Sequence, residues 1–150
     1  MDRDQAAALL DRLADRHGLQ LALSVGSMKR QAGKCFPDRN EIRLSRHLLA
    51  DHPERVEPVL RHEIGHALAH SRHGSDIRPH GREWHDAMAD LGVDEPKRTH
   101  ELVLVEPDYL LTCENDSCDA EIRRYRKSKV VEEPEKYRCG ECGARLRRDC

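Results

Sequence analysis

The chain has 150 residues, a formal net charge of −2, 37% hydrophobic and 36% charged residues, ten histidines and six cysteines. That length suits one domain or a domain with a small appendage, and the polar balance allows only a limited core. No run approaches the roughly 18 apolar residues of a membrane span, and Met1-Asp2-Arg3-Asp4-Gln5 lacks the apolar core of a secretory signal, so an intracellular, cytoplasmic protein with no membrane partner is expected. The near-neutral charge excludes a strongly basic nucleic-acid binder as a whole, although charge is unevenly placed along the chain.

In chain order, Ala6, Leu9, Leu10, Leu13 and His17 recur at helical spacing and predict a helix over 2–17, with Gly18 placed to end it. Leu19, Leu21, Leu23 and Val25 alternate with smaller or polar residues, a half-buried strand that Gly26 breaks. Residues 27–36 are a weaker strand candidate, 37–40 a turn by composition, and Glu41-Ile42-Arg43-Leu44 a short strand ending at Ser45, a helix N-cap type. A short helix toward Asp51 follows. A longer one starts near Pro58, with the proline in its first turn, and runs to about His73 before Gly74. After a loop, Trp84, Ala87, Met88 and Leu91 mark one face of another helix, with Gly92 past its end. Leu102–Val105 is strand-like, and Pro107 and Asp108 look like a hinge. The expected layout is α+β: a first domain over 1–107 with helices and a small antiparallel or mixed sheet, then a small β domain over 108–150.

The longest helix contains His62-Glu63-Ile64-Gly65-His66, an H-E-x-x-H pattern. One helical turn stacks the two imidazoles on one face, where both reach a single metal ion, and Glu63 lies beside that face as a candidate general base. The bland alternative is an amphipathic helix with surface histidines. A catalytic zinc usually takes three protein ligands. The metzincin spacing would put the third at position 72, where Arg72 stands, and His73 misses by one. His70 lies past the ion on a straight helix. His80 follows a loop long enough to fold back and precedes a helix anchored by Trp84, so it is the expected third ligand, with His85 as the alternative.

Cys139-Gly-Glu-Cys142 has knuckle spacing, and Cys113 and Cys118, four residues apart, supply a second pair. Together they predict a closed structural Zn²⁺ site, because this segment is too poor in apolar residues to fold on a core of its own. Cys35 is expected to pack in the first domain, and Cys150, a conceivable spare or substitute ligand, is expected to stay out of the site. Between the pairs, Arg123, Arg124, Tyr125, Arg126, Lys127 and Lys129 form a basic run around one tyrosine. The run is placed on a hairpin and suits either nucleic acid or a solvated outer strand balanced by Glu132, Glu133 and Glu135.

Ala32-Gly33-Lys34-Cys35, Ile42-Arg43-Leu44-Ser45, His62-Glu63-Ile64-Gly65-His66-Ala67 and His80-Gly81-Arg82-Glu83-Trp84 resemble, in the same order, four elements of the SprT-like zinc metalloproteases: A-G-x-C, I-x-L-S, H-E-x-x-H-A and H-G-x-x-[FW]. That family includes the Spartan proteases, which degrade proteins crosslinked to DNA. The resemblance spans about residue 6 to Gly92, and the C-terminal cysteines resemble the zinc ribbon that many members carry. Pro58 and the wide Cys113/Cys118 spacing depart from the pattern. The resemblance implies a zincin-like fold for the domain over 1–107 and a zinc ribbon over 108–150, and a DNA-associated endopeptidase with one catalytic zinc on His62, His66 and His80, Glu63 as base, a protein substrate, and DNA as the partner of the basic run. The competing expectation is a non-proteolytic nucleic-acid-binding or transcription-associated module with structural metal sites only; a third is a zinc hydrolase acting on something other than DNA-bound protein.

Overall fold

The computed structural model describes residues 1–149. The chain divides into two compact units, Met1–Leu104 and Val105–Cys150, so the break falls slightly before the composition shift near residue 107. Cys150 lies outside the described residues. Among those residues, no helix is long and apolar enough to cross a membrane.

The first unit opens with α1 (Arg3–Asp15), whose start is fixed by a reciprocal cap: the Gln5 amide donates to the Asp2 carboxylate and the Asp2 amide to the Gln5 side chain. It ends two residues before the expected limit, because Gly18 at φ +69° and the Leu19 amide, donating to the Ala14 carbonyl, close a left-handed turn there. A three-stranded sheet follows, of β1 (Ala22–Gly26), β2 (Gly33–Phe36) and β3 (Glu41–Ser45), in the order β1-β3-β2. The central β3 is parallel to β1 and antiparallel to β2. Between β2 and β3, a single 3-10 turn at Pro37–Arg39 closes on Asn40, whose φ of 49° is one that asparagine tolerates better than most residues.

Strand alternation sorts β3 into Ile42 and Leu44, fully buried, and Glu41 and Arg43 on the opposite face. Ser45 has three tasks, which explains a buried hydroxyl. Its Oγ donates to the Met28 carbonyl and accepts from the His47 amide to cap α2 (Arg46–Asp51), while its own amide donates to the Ala32 carbonyl. It therefore ties the loop before β2 to the sheet.

The long helix α3 (Val56–His73) starts at Val56, so Pro58 occupies its third position, where the missing N–H has no intrahelical partner to lose. Val56, Val59, Leu60, Ile64, Ala67 and Leu68 form its buried stripe. Gly74 at φ +79° stops it. After the loop comes α4 (Arg82–Asp90), with Trp84, Ala87 and Met88 buried. Leu102–Val105 is no strand. Glu101 at φ 57° turns the backbone, and the Leu102 amide is taken by His100 Nδ1. Because Nδ1 accepts, Nε2 carries the proton and donates to the Arg30 carbonyl at 2.8 Å. Of this apolar run, Leu104 is buried in the core without sheet pairing.

The second unit has its own sheet, of β4 (Tyr109–Cys113), β5 (Glu121–Arg124) and β6 (Leu146–Arg148), in the order β5-β4-β6 with both pairings antiparallel. A short helix α5 (Lys129–Glu132) stands between β5 and β6. The basic run is thus not a hairpin strand. Only Arg123 and Arg124 belong to β5; Tyr125, Arg126 and Lys127 leave the sheet, and Lys129 begins α5. Ser128 stands at the N-cap position of that helix without a side-chain cap bond.

Candidate metal centre and active site

One turn of α3 separates His62 from His66, and their Nε2 atoms stand 3.2 Å apart. His80, at the end of the loop before α4, brings its Nε2 to 3.2 Å from that of His62. These are the three histidines whose ligand atoms converge, whereas His85 is exposed and His73 lies outside the group. His70 instead faces Asp38 at 3.9 Å. A tetrahedral ion with bonds of about 2.0–2.1 Å sets its nitrogen ligands ~3.3 Å apart, close to the spacing seen here.

The electrostatics favour a metal over protons. Burial, then the His80 charge, pulls His62 down to about 4, with the Lys97 backbone acting in the opposite sense. Burial, then His62 and His80, pulls His66 down to about 3. His80 is lowered by burial and then by Arg98. At neutral pH, three uncharged imidazoles point nitrogens at one spot, which is the form that binds metal.

Trp84 holds the three rings in place. It is fully buried, donates Nε1–H to the His62 carbonyl at 3.3 Å, and lies within 4.8–5.6 Å of all three imidazole centroids, stacked on His66 and edge-on to His80. Gly65 makes this possible: a Cβ there would stand 2.5 Å from Met88 Sδ and 3.0 Å from Trp84 Nε1. The middle glycine of the motif is therefore the point where α4 closes on α3. Gly65→Ala is expected to destabilise the first unit by about 1–3 kcal/mol through overpacking and to weaken metal binding, read as a lower Tm and a higher metal Kd. An unchanged Kd would mean that α4 does not set the position of His80.

Glu63 is 7% exposed and, with Ser45, one of two buried polar residues among those described. Strand β2 crosses the helix here at close range, since a Cβ on Gly33 would meet Val59 Cγ1 at 2.9 Å and Glu63 Cγ at 3.2 Å. Burial pushes the Glu63 carboxyl up to about 7, partly offset by the Cys35 backbone. On the same strand, burial and then the Glu63 charge push the half-buried Cys35 thiol up to about 12. A raised folded-state pKa on an acid means that the folded chain holds its proton longer. Stability is therefore lost as pH rises from the ordinary 4.5 through about 7. In the metal-free chain, Glu63→Gln is accordingly expected to melt like wild type near pH 4 and to be more stable at pH 8, by on the order of 3 kcal/mol. Equal Tm values at pH 8 would contradict the burial argument.

In the second unit, Cys113, Cys118, Cys139 and Cys142 form the other candidate metal group. Sulfurs about 2.3 Å from a tetrahedral ion sit ~3.8 Å apart; the Cys118–Cys139 and Cys113–Cys142 sulfurs are 3.8 and 3.4 Å apart. The wide first knuckle closes through Asn115, whose carbonyl accepts from the Cys118 amide and whose own amide points at Cys113 Sγ. The Ala144 amide, then Cys113, pulls the Cys142 thiol down to about 7. In the basic run, Arg123 pairs with Glu121 at 3.8 Å and Lys127 with Glu132 at 3.2 Å, while Arg126 and Lys129 are exposed.

The spacing of the motifs located the converging residues and the Trp84 anchor but not the rest of their support: the Gly65 and Gly33 close approaches and the Ser45 tie need the third dimension. Residues 4–101 match the family model described as the SprT-like family. Protein SprT of Pectobacterium atrosepticum is 32% identical over 124 residues, covering 79% of this chain and 70% of that relative. Protein SprT of Yersinia pestis is 31% identical over 121 residues, covering 77% and 68%. For Protein SprT of Escherichia coli the figures are 31% over 119 residues, 77% and 70%. With the family match covering well over half of the residues, and relatives matched over two thirds of their own length, the chain belongs to the SprT-like family.

Proposed function

We propose that the chain is a zinc-dependent endopeptidase of zincin type that acts on DNA-bound or DNA-crosslinked proteins, with a second, structural zinc on the four cysteines. The observation that carries the reading is the convergence of three neutral imidazole nitrogens next in sequence to a buried carboxyl tuned to about 7. A site that only held structure together would need no base, and burying Glu63 would then be destabilising without return.

His62, His66 and His80 would hold the catalytic ion through Nε2, with Trp84 fixing their orientation. When bound, zinc supplies a Lewis acid that polarises the scissile carbonyl and brings the pKa of a water to roughly 7. Glu63 Oε takes the proton of the attacking water and delivers it to the leaving amine. A buried carboxyl with a pKa near neutrality can do both, since neither protonation state is strongly preferred. The choice of DNA-associated protein as substrate is supported by the family to which the chain belongs and by the basic run at Arg123–Lys129, where exposed Arg126 and Lys129 are free of acidic partners among the described residues.

The test incubates the zinc-loaded chain with a DNA-binding protein, with and without single-stranded DNA. Cleavage only with DNA is expected. Equal cleavage in both would leave a zinc hydrolase that is indifferent to DNA. No cleavage in either, with DNA still bound, would leave a binding module.

A further inference from the structure

The sheet of the first unit has a second face that the hydrolytic site does not use. Gly33 and Cys35, with their partners Leu44 and Ile42, belong to the face that packs on α3. Strand alternation puts Lys34, Phe36, Glu41 and Arg43 on the opposite face, beside Ser24 and Gly26 of β1. Phe36 is the only phenylalanine in the chain, yet it is half-buried at this surface and absent from the core. Three cations surround its ring: Arg39 Cζ at 4.1 Å, Arg43 Cζ at 4.8 Å and Lys34 Nζ at 5.1 Å from the centroid.

This arrangement is built into the strands. The stem of Arg43 crosses Gly26, where a Cβ would come within 3.0 Å of Arg43 Cδ. Its guanidinium donates to Ser24 Oγ and to Glu41, both at 3.2 Å, so the group is fixed. Arg39 reaches Glu41 only at 3.8 Å and keeps 57% of its side chain exposed; Lys34 is exposed. Asp38, in the same turn, faces His70 of α3. With three cations against the single carboxylate of Glu41, the face is positive in a chain whose net charge is negative.

We propose that this face binds single-stranded nucleic acid, with an unstacked base on the Arg39–Phe36 platform and the flanking phosphates on Lys34 and Arg43. An aromatic ring backed by cations offers stacking to a free base and charge to the backbone, the two contributions on which single-strand binders rely. A duplex keeps its bases stacked and cannot use the ring. An acidic peptide would use the cations but leave Phe36 idle. This surface belongs to the first unit, whereas the basic run belongs to the second, and it does not depend on the hydrolytic reading, although β2 contributes to both: one face to the platform, the other to the wall beside Glu63.

The experiment measures binding of a labelled oligo-dT of about 15 nucleotides to the full chain by fluorescence anisotropy across a salt series, with cleavage of a DNA-free peptide scored alongside. Phe36→Leu is expected to weaken binding by about tenfold, the loss of one stacked base. Lys34→Gln with Arg39→Gln is expected to weaken binding and to flatten the salt slope by about 0.7, the one single-strand phosphate contact at Lys34. An abasic strand should bind wild type and Phe36→Leu equally. Lys34 and Arg39 are exposed, so their pair tests the surface even if Phe36→Leu folds poorly. No binding by wild type, unchanged affinity in both variants, or displacement of the oligonucleotide by polyglutamate at equal charge would overturn the proposal. Reduced binding in the variants supports it whether or not wild type cleaves the peptide; absence of peptide cleavage alone counts against the hydrolytic reading and not against this surface.

Discussion

Glu63→Gln is expected to keep a full complement of metal and to lose peptide hydrolysis by about 10²–10⁴-fold, the usual contribution of a positioned general base. The substitution is nearly isosteric, which matters because Glu63 lies against β2 where Gly33 leaves no spare room. The ligands are three other side chains, so the affinity of the site for zinc should change little. What is lost is the proton acceptor, since an amide cannot take a proton from water at neutral pH. Elemental analysis and cleavage rates on the same preparation separate the two effects. Loss of metal together with activity would make Glu63 a structural part of the centre; activity near wild type would remove it from the chemistry.

The second large effect is expected in the other unit. Cys139→Ser should release one equivalent of zinc and unfold Val105–Cys150 while the first unit keeps its melting transition. The reason is the scarcity of apolar material: Cys113 and Cys139 are themselves the centre of the cluster, with Leu146 as their buried partner. Binding of a structural zinc to such a site is worth about 10–16 kcal/mol at neutral pH, far beyond what so small a core supplies. The variant is more informative than a chelator, which would strip both centres. Hydrogen exchange read along β4, β5 and β6 checks the claim. Protected amides in the zinc-free second unit would show that it folds without the metal.

The sequence was most legible where chemistry and periodicity coincide. His62, Glu63 and His66 stand on a helix whose apolar stripe is plain, and His80 follows from loop length and from the Trp84 anchor. Four cysteines in two pairs converge as their spacing implies, even with the wider first knuckle. Local irregularity was not legible. Leu102–Val105 is a strand-like apolar run but forms no ladder, and His100 takes the Leu102 amide. The basic run was assigned to a hairpin because charge pattern carries no period, whereas the chain leaves the sheet after Arg124 and enters α5 at Lys129. Nor could spacing show that Gly65 and Gly33 are glycines of close approach, since each depends on a neighbour distant in sequence; the cations around Phe36 lie within seven residues of it but needed the β2–β3 register to place them on its face.

The most direct test of the account adds zinc stepwise to the metal-stripped chain and follows cleavage of a DNA-bound protein, with wild type beside His80→Ala. Wild type is expected to take up two equivalents and to gain activity as the histidine site fills. His80→Ala is expected to take up the equivalent held by the cysteines and to stay at background. Cleavage by His80→Ala at the wild-type rate, or no cleavage by fully loaded wild type, would contradict a hydrolytic zinc on these three histidines.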